Sequence, residues 1–165
     1  TSKKVININQ RLEKMQSLIV RSLTPQVEVS EQLAEDLWQV EIDPGDFEDA
    51  LLNLLLNARD AMSGNGLLTI ETRNCELDEA YCDINPDIAP GKYMQLTVSD
   101  TGIGLPLEVP ELNFELCFTK QHQSEGTGLG LSMGYGFVKR CGGGIKVYCE
   151  AGIGTTIRIF PPAVT

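Results

Sequence analysis

The run from Phe47 to Met62, "FEDALLNLLLNARDAM", constrains this chain most. Phe47, Ala50, Leu51, Leu54, Leu55, Ala58, Ala61 and Met62 recur at i, i+3, i+4 and i+7, which predicts a helix with one broad apolar face. Ser63-Gly64-Asn65-Gly66 ends it. Such a face must be buried under another layer, and the flanking sequence offers strands. "QVEVS" and "LWQVEID" alternate before it, and Pro44-Gly45 punctuates the second. "LLTIETRN" and "YMQLTVSD" read as strands after it, and "GGIKVYCEAG" with "TTIRIFPP" as a closing hairpin. Ile8, Leu12, Met15, Ile19 and Leu23 predict a helix over residues 5–23, and an apolar helical pattern follows Gly126. Helices and strands interleave, yet two adjacent strands end the chain. That favours helices on one face of a mixed sheet, a two-layer α/β sandwich, over a doubly wound parallel sheet. The expected organisation is a linker or first helix over 1–23 and one domain over 24–165.

Between the two middle strands Glu76, Asp78, Glu79, Asp83 and Asp87 meet no Lys or Arg, so a solvated excursion is expected there. A net charge of -10 argues against nucleic acid or an anionic membrane as partner. The five cysteines are odd in number and lack ligand spacing, so they read as reduced thiols in a cytoplasmic setting. No segment approaches the ~20 apolar residues of a membrane span. The chain begins at Thr1 without Met, which reads as a piece of something longer.

The glycines pose the functional question. In "EGTGLGLSMGYGFVKRCGG", Gly126, Gly128 and Gly130 stand at the mouth of a helix. Glycine there costs backbone entropy, which suits a loop whose N–H groups and helix dipole meet a phosphate. There is no GxxxxGK[ST], and no GxG pair has the third glycine of a dinucleotide fingerprint. By itself the loop is equally a turn.

Two further groups narrow the reading. Asn53 and Asn57, four apart among leucines, share one helix stripe, with Asp46, Asp49 and Asp60 near it. A carboxamide buried among leucines without partners is costly, and its oxygen suits Mg²⁺; an exposed polar stripe is the bland alternative. In "LTVSDTGIG" a strand delivers Asp100, and Gly102 and Gly104 turn away. A carboxylate at the base of a pocket can accept a hydrogen bond from the exocyclic amine of adenine, or it can cap a local turn.

In sequence order, Asn53-x-x-x-Asn57-Ala58, Asp100-Thr-Gly-Ile-Gly104, Gly126-Thr-Gly-Leu-Gly-Leu131 and Gly154-Thr-Thr resemble the ATP-binding catalytic domain of sensor histidine kinases. That domain belongs to the gyrase, Hsp90, histidine kinase and MutL ATPase superfamily. "LLNLLLNARDAM" and "GTGLGLSMGYGFVK" look like the nitrogen-sensor type. The resemblance spans roughly residues 25 to 162. It implies a mixed sheet under three main helices, with ATP between two helices and a mobile lid. Asn57 would hold Mg²⁺; Asn53 would line the same site and assist the phosphates, with Asp60 on that side. Asp100 would receive the adenine amine, with Gly102 and Gly104 letting the base sit close and Thr155 supporting it. Gly126, Thr127, Gly128, Leu129, Gly130 and Leu131 would wrap the triphosphate. The lid departs from the family: "FELCFTK" stands where its members read something like FEPFFTTK. Leu116 and Cys117 replace a proline and an aromatic, and Lys120 falls near the family's phosphate-facing lysine. The lone His122 reads as an exposed loop residue.

The function implied is transfer of the γ-phosphoryl of Mg-ATP to a histidine on a separate phosphoacceptor domain, with a response regulator receiver domain as indirect partner. That part is expected to carry dimerisation, so this piece is expected to be monomeric. The rivals are a nucleotide-binding regulatory module without transfer, and a self-contained ATPase. Position 53 separates the last, because those branches place Glu there to activate water.

Overall fold

The computed structural model describes residues 3–23, 25–62, 66–84, 88–101, 128–150 and 154–164. Among the described residues, these elements follow in order: β1 (Lys4–Ile6), α1 (Ile8–Lys14), α2 (Gln16–Ser22), β2 (Val27–Leu33), β3 (Val40–Ile42), α3 (Pro44–Ala61), β4 (Gly66–Leu77), α4 (Glu79–Ile84), β5 (Gly91–Asp100), α5 (Gly128–Cys141), β6 (Gly144–Glu150) and β7 (Gly154–Phe160). The main sheet has five strands in the order β2-β4-β5-β7-β6. Its β2–β4 pair is parallel and the rest antiparallel, so the expected mixed sheet is present.

Alternation sets the two faces of this sheet. Leu68, Ile70, Met94, Leu96, Val98, Ile145, Val147, Ile157 and Ile159 point to one side and bury against α1, α2, α3 and α5 in a single core. On α3, Phe47, Ala50, Leu51, Leu54, Leu55 and Ala58 are the buried residues that meet them, beside Asn57. Local chemistry fixes where α3 starts. Asp43 caps it, its Oδ1 accepting from the N–H groups of Gly45 (2.9 Å) and Asp46 (3.2 Å), and Pro44 occupies the first turn, where no donor is needed.

Three expectations need correction. The predicted helix over 5–23 is a short strand followed by two helices. Asn7 caps α1 by accepting from Gln10 N–H (3.2 Å), and Met15 is the joint between α1 and α2. The apolar spacing survives the joint: Ile8, Leu12, Met15, Ile19 and Leu23 all enter the main core. The strand over 37–43 shrinks to β3, which pairs with β1 in a separate two-stranded sheet. The acidic excursion is ordered in its described part. β4 continues to Leu77, and α4 places Cys82 beside Leu77, Ile88, Tyr93 and Phe160 in a second apolar cluster. Tyr93 and Phe160 alternate away from Met94 and Ile159, so α4 covers one end of the sheet face opposite the main helices. The acidic side chains at 76, 78, 79 and 83 stay exposed, and it is the intervening Leu77 and Cys82 that order the segment.

Candidate nucleotide site

The polar stripe on α3 breaks the rule that the rest of that helix obeys. Asn57 is only 7% exposed, and its Oδ1 is buried with no hydrogen-bond partner among the described residues. Leaving a buried acceptor unsatisfied costs about 1–3 kcal/mol. One turn earlier, Asn53 is half-buried and donates from Nδ2 to the Asp49 carbonyl at 2.8 Å. Asp60 turns outward: it is exposed, and its Oδ1 accepts from Arg59 Nε (3.2 Å) and Nη2 (3.1 Å). The structure therefore stacks the two asparagines and directs Asp60 to its chain neighbour.

β5 delivers Asp100 at its C-terminal end, opposite Leu68 of β4 and opposite Thr155 of β7. Thr155 is 4% exposed, and its Oγ1 is likewise buried without a partner among the described residues. Gly154 has a φ of 149°, and a Cβ there would collide with the Asp100 carbonyl, so only glycine lets β7 start this close to the end of β5. Thr101 pins this corner to α3. Its Oγ1 accepts the Leu67 N–H at 3.1 Å and donates to Met62 Sδ at 3.7 Å. Met62 follows Asn57 by five positions, about 7–8 Å of helix rise. The last turns of α3 and the ends of β5 and β7 thus border one region.

α5 forms the other wall. At one end of the α3–α5 pair, Arg140 donates from Nε (2.7 Å) and Nη2 (2.5 Å) to the two carboxylate oxygens of Asp46. The rings of Phe47 and Phe137 meet there at 5.8 Å and 58°. With the helices antiparallel from that end, Asn57 and Gly128 each lie about 14–15 Å along their axes. The start of α5 is therefore level with Asn57, and a helix start carries free N–H groups and the positive end of a dipole. Gly128, Leu129, Gly130 and Leu131 make up the beginning of that helix. Gly102, Gly104, Lys120, His122, Gly126, Thr127 and the segment read as a lid lie outside the described residues.

Sequence reasoning missed Thr101 and Met62 as the clasp between α3 and β5, and Arg140 as the partner of Asp46. The charges of Asp46 and Arg140 were visible, but their 94-residue separation hides the pair until the helices are docked.

A set of hard acceptors and a helix start bordering one region is what a nucleotide with its counterion requires. Residues 42–165 match the family described as histidine kinase-, DNA gyrase B- and HSP90-like ATPase. The chain is 40% identical over 158 residues to the sensor kinase CckA of Brucella abortus, covering 96% of this chain and 17% of that protein. It is 31% identical over 130 residues to the sensor histidine kinase ZraS of Salmonella typhi, covering 79% of this chain and 24% of that one. The chain thus spans less than a quarter of the length of these relatives. Its fold matches the mycobacterial sensor histidine kinase MprB with a TM-score of 0.71 at 21% identity, covering 98% and 97% of the two chains. It also matches full-length ShkA, solved in complex with AMPPNP, with a TM-score of 0.72 at 21% identity, covering 99% of this chain and 32% of that one. The chain belongs to the histidine kinase-, DNA gyrase B- and HSP90-like ATPase family, as an ATP-binding catalytic domain of the sensor histidine kinase kind.

Proposed function

We propose that the chain binds Mg-ATP in the cleft between α3, the start of α5 and the ends of β5 and β7, and passes the γ-phosphoryl group to a histidine of a phosphoacceptor domain. The buried, unpartnered Oδ1 of Asn57 carries this reading. It is a hard oxygen, and Mg²⁺ is commonly held by one or two protein oxygens, with phosphates and water completing its shell. When bound, Mg²⁺ would neutralise charge on the phosphates. Asn53 stands one turn away to orient them. Asp100 accepts the adenine amine, with the hydroxyl of Thr155 beside it, and the N–H groups at the start of α5 receive the phosphates. The structural neighbour ShkA was solved in complex with AMPPNP, which supports nucleotide binding by this fold.

Position 53 favours transfer over self-contained hydrolysis, since a carboxamide cannot take the proton of an attacking water at neutral pH. Positioning and charge neutralisation then do most of the chemistry. The acceptor histidine would hand the group to a response regulator receiver domain. We place the domain in the cytoplasm as a monomer. Among the described residues no helix is long and apolar enough to cross a membrane.

The test mixes the chain with a separately folded phosphoacceptor domain and γ-radiolabelled ATP. Label on the acceptor histidine that requires both Mg²⁺ and this chain is the expected result. Phosphate release with no labelled histidine would instead identify a self-contained ATPase. Nucleotide binding with neither outcome would identify a regulatory module.

A further inference from the structure

The sheet face turned away from α3 and α5 carries a groove of about 390 Å³. Strand alternation brings Gln32 of β2, Glu71 and Arg73 of β4, Gln95 and Thr97 of β5, and Arg158 of β7 onto this face, and all six line the groove. In the ladders Thr97 lies opposite both Glu71 and Arg158, and Gln95 opposite Arg73. Gln95 Nε2 donates to Thr97 Oγ1 at 3.3 Å. None of these residues belongs to the nucleotide cleft, which lies on the other side of the sheet.

Two arginines make the groove unusual. Arg158 Nε is buried with no hydrogen-bond partner among the described residues, and its guanidinium rests 5.1 Å from the centre of the Tyr148 ring. Arg158 as a whole is half-buried, and the ring contact offsets only part of the cost of burying the Nε–H donor. Arg73 is exposed, and among the described residues neither arginine makes an ion pair. Acidic residues outnumber basic ones 23 to 13 in this chain, so two guanidinium groups without an ion pair on one face stand out. Both guanidinium groups lower the pKa of the same thiol, Cys75, against the upward push of burial, and only β5 separates their strands. Guanidinium forks match phosphate and carboxylate oxygens in pairs. Glu71, in the same groove, disfavours a bare polyanion and favours a ligand that carries a donor beside its anionic group. The volume falls within the range of about 300–1,000 Å³ typical of small-molecule sites, and is larger than a lone phosphate ion fills.

We propose that this groove is a second ligand site, separate from the nucleotide cleft, for a small organic phosphate. Arg158 and Arg73 hold the phosphate, and Glu71 and Gln95 receive hydroxyl or amino groups of the same molecule. Because the sheet separates the two sites, such a ligand binds with the cleft filled or empty, which suits a regulatory input.

The experiment titrates the isotope-labelled chain with glycerol phosphate and follows backbone amide signals, using inorganic phosphate and sodium chloride of equal ionic strength as comparisons. Saturable shifts are expected at Arg73, Gln95, Thr97 and Arg158, with at least tenfold weaker binding in both Arg158→Gln and the exposed Arg73→Gln. Saturating ATP should leave them in place. Shifts that match the sodium chloride series, that persist in Arg73→Gln, or that ATP displaces would overturn the site. Inorganic phosphate binding as tightly as glycerol phosphate would overturn the assignment to an organic ligand. None of these results depends on phosphotransfer, so the site can fail while the kinase reading stands.

Discussion

Asp100 faces Thr155 directly across the β5–β7 ladder, and the glycine preceding Thr155 lies against the Asp100 carbonyl. This contact brings Asp100 and the buried hydroxyl of Thr155 together at one end of the β5–β7 ladder. It rests on the missing side chain of Gly154. Gly154→Ala should therefore destabilise the domain by more than the about 1–3 kcal/mol of backbone strain alone, since the added carbon also meets backbone. Gly142 is the control: its φ is 78°, but a Cβ there meets nothing within 4 Å, so Gly142→Ala should cost about 1 kcal/mol. Urea unfolding of the two variants compares them. Equal losses would mean that the β5–β7 corner relaxes freely.

Asn57→Ala should separate function from stability. The substitution removes a buried acceptor that has no partner, so the unliganded domain should keep its stability to within about 1 kcal/mol, the smaller packing contact being offset by the lost desolvation cost. Mg²⁺-dependent nucleotide binding should disappear. Calorimetry with ATP, with and without Mg²⁺, reads the second effect and thermal unfolding the first. Full Mg-ATP affinity in this variant would remove Asn57 from the site.

Much of the fold was legible because α3 and the strands of the main sheet carry long, regular patterns. The α3 stripe, all but the half-buried Ala61, and the alternation along β4, β5 and β7 reappear in the core. β1 was hidden because three residues leave no period, and the joint at Met15 because the apolar spacing runs through it unbroken. The ordering of the acidic segment was missed for a different reason. Its charges dominate the sequence, whereas Leu77 and Cys82 find apolar partners only once Tyr93 and Phe160 are brought across the sheet. At the proposed site, Asn53, Asn57, Asp100 and Thr155 were readable as types in a familiar order. The orphaned oxygens of Asn57 and Thr155 and the clasp of Thr101 on Met62 were not, because each depends on contacts between distant segments.

Cys141, at the end of α5, gives a prediction in pH. Burial pushes its thiol from 9.0 up to about 11, and the protonated thiol donates to the Val138 carbonyl at 3.5 Å. The native state therefore favours the neutral form. The unfolded chain loses this proton near the lower value, so stability is fully present below about pH 9 and falls as pH rises towards about 11, by about 2 kcal/mol from this group. Cys141→Ala should flatten that part of the profile. Denaturant unfolding from pH 8 to 11 measures it, and an unchanged slope in the variant would show that other groups set the alkaline limb.

Asp100 should also set the choice of base. A carboxylate accepts but cannot donate, so it pairs with the exocyclic amine of adenine and opposes the carbonyl that guanine presents at the same edge. A site built around a buried polar group rejects a mismatched polar partner far more strongly than an apolar pocket rejects a size mismatch. The chain should therefore prefer ATP over GTP by two orders of magnitude or more, corresponding to about 3 kcal/mol. Asp100→Asn keeps the shape, removes the charge and introduces a donor. It should weaken ATP by about 1–3 kcal/mol and narrow the gap to GTP, because the new amide can meet the guanine carbonyl. Thr155→Val should weaken ATP less and leave the preference in place, since the hydroxyl stands beside the carboxylate rather than reading the base itself. Competition of ATP and GTP against a fluorescent ATP analogue, run on the wild type and both variants, measures all three quantities. Equal displacement by the two nucleotides in the wild type would show that Asp100 does not face the base.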